Sequence, residues 1–229
     1  MKKIAFLTTI FPMEESFITE FLESLSNQTY NKFDIIVVND GFKNLNNIVK
    51  KHPNLNIKEI LYSNTPAKNR ECGINYVISQ KYDILIFGDS DDYFSENRVE
   101  KTIELLEKTD IVVNDLSLFN ENGIYENMYI SNRIPNNTLV KYDYIKDKNI
   151  FGLSNTALNL NILESFSIDA DIIAVDWYLY KKLLKEKNRA IFTNECITYY
   201  RQYVDNTVGL ESKNGNYLLW WESNNKDNK

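Results

Sequence analysis

Three carboxylates fall within four positions in Gly88-Asp89-Ser90-Asp91-Asp92, directly after the apolar run Ile84-Leu85-Ile86-Phe87. Acids crowded this closely repel one another unless hydrogen-bond donors or a cation offset the charge, and a hard divalent ion such as Mg²⁺ or Mn²⁺ is their natural partner. An acidic turn capping the helix that begins near Glu96 is the alternative for the tetrapeptide read alone. A further acid, Asp40, ends a second apolar run in Asn39-Asp40-Gly41, where the glycine permits a tight turn.

These acids need strands to carry them. Ile4-Ala5-Phe6-Leu7, Ile35-Ile36-Val37-Val38, Ile57 to Leu61 and Ile84 to Phe87 are too short for helices and suit a sheet covered on both faces. Between them, helical spacing is read at Phe17, Phe21, Leu22 and Leu25, at roughly Leu45 to Lys51, and from Pro66 through Arg70, Ile74, Val77 and Ile78. Strands alternating with helices predict a largely parallel sheet over residues 1 to 115, and ligands of such sheets bind outside the carboxyl ends of the strands. No Gly-x-Gly-x-x-Gly follows the first strand and no Walker lysine loop is present, so no glycine-rich turn cradles phosphate. Beyond residue 115 the pattern is less regular. Val99 to Lys108 and Val175 through Leu184 read as helices, Ile111 to Val113 and Ile197 to Tyr203 as strands, Gly123 to Ile130 as a turn and strand, and Phe151 to Ala157 as a loop near a ligand.

The chain has 229 residues and a net charge of -6, which suits one domain with a full core and argues against a nucleic-acid groove, because phosphate neutralisation needs clustered Lys and Arg. Cys72 and Cys196 give no disulfide framework and no metal-ligand spacing, which favours core thiols and a reducing, cytoplasmic setting. No apolar run approaches the ~20 residues that span a bilayer. His52, before Pro53 at a helix end, reads as a solvated cap.

Several motifs in order resemble the family 2 glycosyltransferases, over nearly the whole chain. Phe6-Leu7-Thr8-Thr9-Ile10-Phe11 is similar to the family's first strand and loop, Ser24 to Tyr30 to its Ser-Leu-x-x-Gln-Thr-Tyr, and Ile35 to Gly41 to its Ile-Ile-Val-Val-Asp-Asp-Gly, with Asn39 in place of the first acid. Asp89-Ser90-Asp91-Asp92 resembles its Asp-x-Asp-Asp motif. Val175-Asp176-Trp177 and Tyr200-Arg201-Gln202-Tyr203, followed by Asn206 and Gly209, look like segments of its rhamnosyltransferase-like members, with Tyr203 where those carry histidine.

The resemblance implies an α/β, GT-A fold: a Rossmann-like mixed sheet flanked by helices in a single domain. Residues 1–115 would form the nucleotide-sugar-binding half, 116–210 the acceptor-binding half and 211–229 a C-terminal tail. It implies that Asp40 accepts the N3–H of a uracil or thymine ring, that Phe11 stacks on that base with Thr9 positioning it, and that Arg70, or Lys68 in competition, lies near the base or diphosphate. Asp91 and Asp92 would hold Mg²⁺ or Mn²⁺ against the diphosphate, Asp89 would support the metal or the ribose, and Arg201 and Tyr203 would reach the phosphates, Tyr203 as a phenol donor because neutral tyrosine is a poor metal ligand. Asp176 would be the catalytic base.

The expected activity is an inverting, metal-dependent transfer of a hexosyl or deoxyhexosyl group from a UDP- or dTDP-sugar to a hydroxyl of a glycan or lipid-linked glycan, in bacterial surface-polysaccharide assembly at the inner face of the membrane. Leu218, Leu219, Trp220 and Trp221 would supply peripheral membrane contact, since Trp favours headgroup depth. The competing functions are a catalytically silent nucleotide-sugar or glycan-binding module and a sugar-nucleotide nucleotidyltransferase; the latter would want a glycine- and lysine/arginine-rich loop after the first strand.

Overall fold

A computed structural model describes residues 2–202. Ten strands, β1 (Ile4–Ile10), β2 (Asp34–Asn39), β3 (Asn56–Leu61), β4 (Ile84–Phe87), β5 (Tyr93–Phe94), β6 (Ile111–Asn120), β7 (Gly123–Glu126), β8 (Leu139–Val140), β9 (Thr156–Asn159) and β10 (Ala190–Arg201), form one sheet among the described residues. Six helices accompany them: α1 (Glu15–Ser26), α2 (Leu45–Val49), α3 (Pro66–Ser79), α4 (Arg98–Leu106), α5 (Tyr142–Ile145) and α6 (Val175–Lys185). Strand order is β3-β2-β1-β4-β9-β6-β10-β5, with β7 on β6 and β8 on β10. Pairings among β3, β2, β1 and β4 are parallel, as the alternation in the first half predicts; β9 runs antiparallel to both β4 and β6, which makes the whole sheet mixed.

Both faces of the sheet are covered, which is why the strands read as continuous apolar runs. Along β1, Ala5 and Leu7 point to a core shared with α3 and α6 through Ile74, Val77, Leu179 and Leu183, while Phe6 and Ile10 point to one shared with α1, α2 and α4 through Phe21, Leu22, Ile48 and Val99. Period-two alternation therefore distributes one strand between two layers of helix.

Three readings of the sequence are corrected. The segment Phe151 to Ala157 is not all loop: β9 starts at Thr156 and is inserted between β4 and β6, hidden in the sequence because its Thr and Asn side chains are used internally, Asn159 Nδ2 closing the carbonyls of Leu106 and Thr109 at 2.8 and 2.9 Å. The last described strand begins at Ala190 rather than Ile197, its polar middle marking a register shift against β6 between Thr193 and Ile197. His52 is buried, because the main chain folds back so that Leu55 N–H bonds its carbonyl at 3.1 Å. No helix among the described residues is long and apolar enough to cross a membrane.

Candidate active site

The acidic loop leaves β4 through Gly88, and the geometry there allows no side chain: a Cβ would lie 2.5 Å from the Phe6 ring and 2.6 Å from that of Phe94. The backbone can therefore pass tightly over the aromatic layer before presenting its acids at the carboxyl end of the sheet. The loop is fixed from several sides. Ser90 Oγ donates to Thr9 O at 3.0 Å, and Ser154 Oγ accepts the Asp89 N–H at 3.2 Å while donating to Asp92 Oδ2. Arg201 N–H donates to Asp92 Oδ1 at 2.8 Å, and Arg201 Nε to the Asp91 carbonyl at 2.7 Å.

The three acids consequently differ. Asp92 is 1% exposed and turned inward, so the structure does not bring it to the surface beside Asp89 and Asp91, which are partly open. Burial, then the neighbouring Asp91 and Asp89, push the Asp92 carboxyl well above the usual carboxylate range. Among the described residues no three carboxylate, imidazole or thiol side chains converge into a cage of their own. That donor set fits a hard cation held by one or two carboxylates and completed by water and diphosphate oxygens, the usual mode for Mg²⁺.

Helix α3 supplies the nucleotide side. Pro66 opens it, with Thr65 Oγ1 capping Lys68 N–H, and its first turn delivers Asn69 and Arg70 to the strand ends. Arg70 Nη2 pairs with Asp89 Oδ1 at 2.5 Å, and Asn69 Nδ2 donates to Asp40 Oδ2 at 2.8 Å. Lys68 turns instead to Glu71 at 2.8 Å, whose carboxylate also accepts Ile168 N–H. Of the two candidate cations, Arg70 is the one joined to the acidic loop. Asn39, in place of an acid, ties the β2 turn by accepting Phe42 N–H and donating to its carbonyl, both at 2.8 Å, with Gly41 at φ +87°. Phe11 stands 48% exposed at the end of β1 rather than in the core. Thr9, beside it, meets the acidic loop through its carbonyl.

Asp176 sits in the first turn of α6, accepting Trp177 N–H at 2.6 Å, with Asn149 exerting a further polar influence on its carboxyl. Some of its surface stays open, yet protein atoms crowd its carboxyl as densely as those of an interior group. That burial, reinforced by Asp89 and partly opposed by Trp177 N–H, Asn149 and Arg70, pushes it up to about 6. Asp176 of α6 therefore feels the charges of both Asp89, in the acidic loop, and Arg70, on α3. On β10, burial and then the charges of Asp92, Asp89, Asp91 and Asp176 push the Tyr200 phenol upward.

Arg201 braces the site from behind. Its guanidinium pairs with Glu20 and lies 4.2 Å from the Phe17 ring centre and 4.4 Å from that of Phe119. Tyr203, Leu218, Leu219, Trp220 and Trp221 lie outside the described residues. Sequence reasoning missed Asn69, Tyr200, Asn149 and Ser154 as site residues. Ser154 carried a signal as a member of the small and polar stretch singled out between Phe151 and Ala157, and Tyr200 as a member of the Tyr200-Arg201-Gln202-Tyr203 segment.

The fold has counterparts in known proteins. Residues 1-349 of TarS from S. aureus in complex with UDP-GlcNAc share the fold at a TM-score of 0.69 and 20% identity, over 90% of this chain and 60% of that one. The TarS complex with UDP gives 0.69 at 21% identity, over 87% of this chain and 60% of that one. The glycosyltransferase GlyA of Streptococcus pneumoniae is 26% identical over 216 residues, 85% of this chain but 30% of the length of that relative. The model of glycosyl transferase family 2 matches residues 9–166, a span that takes in Asp40, Arg70, the acidic loop and Ser154, and the chain belongs to that family.

Proposed function

We propose that the chain is an inverting, divalent-metal-dependent glycosyltransferase of rhamnosyltransferase-like type, moving a hexosyl or deoxyhexosyl group from a UDP- or dTDP-sugar to a hydroxyl of a growing glycan. The reading places it in the cytoplasm, in assembly of bacterial surface polysaccharide. One observation carries it: at the carboxyl ends of β2 and β4, α3 joins Asp40 to the acidic loop, Asn69 donating to Asp40 and Arg70 pairing with Asp89, while the Asp89 charge also acts on Asp176 of α6. Structures of TarS with UDP-GlcNAc and UDP on the same fold support a nucleotide-sugar donor.

Each residue has a task within this reading. Asn69 holds one oxygen of Asp40, leaving Oδ1 to accept a pyrimidine N3–H, and the exposed Phe11 ring offers a face for the base. Arg70, oriented by Asp89, supplies positive charge on the diphosphate side. Asp91 would ligate the cation, and the inward-facing Asp92 would brace the loop that carries it. A divalent cation bound by Asp91 would supply Lewis-acid neutralisation of charge on the departing nucleoside diphosphate. Asp176 takes the proton of the acceptor hydroxyl as its oxygen bonds the anomeric carbon and the bond from that carbon to phosphate breaks, its electron pair leaving with the diphosphate. A carboxyl titrating near 6 is mostly ionised at neutral pH yet more basic than a solvated one, which suits that task.

The sealed position of Asp92 favours a second reading, a catalytically silent binding module. Screening UDP-, dTDP- and GDP-sugars for Mn²⁺-dependent thermal stabilisation, followed by turnover of whichever binds, separates the two. Stabilisation by UDP- or dTDP-sugars with turnover is expected. Binding confined to GDP-sugars would contradict the assignment of Asp40, and binding without turnover would leave the module.

A further inference from the structure

A chain of buried polar groups runs beneath the acidic loop. Arg98, the first residue of α4, is 1% exposed. Its Nη2 donates to the carbonyl of Phe87, the last residue of β4, at 2.6 Å, and its Nε to Asn114 Oδ1 at 3.2 Å. The guanidinium lies 4.2 Å from the centre of the Phe94 ring. Asn114 Nδ2 donates to Thr198 Oγ1 at 3.0 Å, and Thr198 Oγ1 donates to Ser154 O at 2.9 Å. Ser154 Oγ then reaches both ends of the acidic motif, accepting Asp89 N–H and donating to Asp92 Oδ2. All five side chains are buried, and they come from α4, β6, β10, the short turn before β9 and the loop itself.

An arginine removed from water is costly unless an anion is near, and among the described residues no carboxylate lies in direct contact with Arg98. Its Nη1 has no hydrogen-bond partner at all. Burial lowers it only to about 10, so it stays charged at neutral pH, and the charges that oppose this lowering include Asp92 and Asp89. The cation is therefore kept in the core for its field and for its hold on the strand end, not for a local ion pair.

We propose that Arg98, acting through Asn114, Thr198 and Ser154, is a positioning residue for the acidic loop, a buried positive charge that holds Phe87 and Asp92 inward so that Asp89 and Asp91 face a divalent cation and a nucleoside diphosphate. The ligand named here rests on the function proposed above; the mechanical part does not. A merely structural arginine would leave uridine and the metal–nucleotide complex equally affected by its loss. A positioning one affects only the ligand that needs the acids.

Ser154→Ala, Arg98→Met and Arg98→Lys in the full chain test this, read by amide hydrogen exchange over residues 88–93 and by calorimetric affinity for uridine and for UDP with Mn²⁺. Ser154→Ala is expected to unfold cooperatively, to speed exchange across the loop, and to weaken Mn²⁺–UDP by about tenfold, as for one lost charge-assisted hydrogen bond, with uridine within about twofold of the parent. Arg98→Met shows the same pattern more strongly, and Arg98→Lys, which keeps the charge, recovers part of the loss. Unchanged exchange, unchanged Mn²⁺–UDP affinity, or parallel loss of uridine would each overturn the proposal; if Arg98→Met does not fold, Arg98→Lys decides by the same readings. Should the parent protein bind no nucleotide, the functional reading fails separately, and loop exchange in the Arg98 variants settles the positioning role by itself.

Discussion

Replacing Asp176 by Asn separates a catalytic base from a helix cap, because the two predict opposite changes in stability. The side chain sits in the first turn of α6, where an acid ordinarily stabilises, but burial has pushed it from 3.8 up to about 6. Its folded value lies above its unfolded one, so its contribution is fully present below about pH 4 and is lost as pH rises through about 6. Above pH 7 the ionised group is a standing cost. At ~1.4 kcal/mol per unit the shift corresponds to at most ~3 kcal/mol, and because part of the surface stays open, about 1–2 kcal/mol is the realistic share. Asn keeps an oxygen for Trp177 N–H and removes the charge. Asp176→Asn should therefore raise the unfolding midpoint at pH 7.5 by roughly 2–8 °C, with the difference vanishing near pH 4. Turnover should fall about 10²–10⁴-fold with donor affinity retained, and the rising limb of the parent pH–rate profile near 6 should disappear. Calorimetry at the two pH values and a donor-consumption assay read all of this. A variant that is less stable at pH 7.5, or that retains more than about a tenth of parent turnover, would refute the assignment.

Other perturbations have equally definite outcomes. Gly88→Ala forces a methyl to within 2.5 Å of Phe6 and 2.6 Å of Phe94, so denaturant unfolding should show a loss of about 1–3 kcal/mol; an unchanged midpoint would contradict the tight passage of the loop. Phe11→Ala removes a ring that is half in solvent, so the unfolding midpoint should barely move while UDP affinity falls about five- to a hundredfold, the range for a lost base–aromatic stack; unchanged UDP affinity would mean the ring is not the base platform. Ending the chain at Ser212 should reduce pelleting with anionic liposomes if Leu218 to Trp221 contact a membrane, and equal pelleting would rule that contact out.

Most of what made the fold legible lies in the first half of the chain, where covered strands must be apolar on both sides and Ile35-Ile36-Val37-Val38 or Ile84 to Phe87 allow little else. The same logic failed at β9, whose Thr156 and Asn159 spend their polar groups inside the protein and so look like loop residues. It failed again at the start of β10, where polar residues mark a bulge within one strand. For the site, spacing located the acidic loop but not the inward turn of Asp92, which depends on Ser154 and on a main-chain N–H 109 positions away in sequence. The resemblance put Arg70 first with Lys68 in competition, and the physical difference between them lies in which side of α3 meets Asp89 and which meets Glu71. Asn69 and Arg98 were invisible because amide and guanidinium groups acquire meaning only from the partners the fold brings to them.

The central claim is that the crevice binds a pyrimidine nucleoside diphosphate through Asp40 and a cation at Asp91. Titrating the protein calorimetrically with UDP and with GDP, each in Mn²⁺ and again in excess chelator, tests it most directly. UDP should bind in Mn²⁺, weaken by at least about tenfold in chelator and again in Asp91→Asn, and outcompete GDP. Equal or tighter binding of GDP, or UDP affinity indifferent to both chelator and Asp91→Asn, would contradict the account.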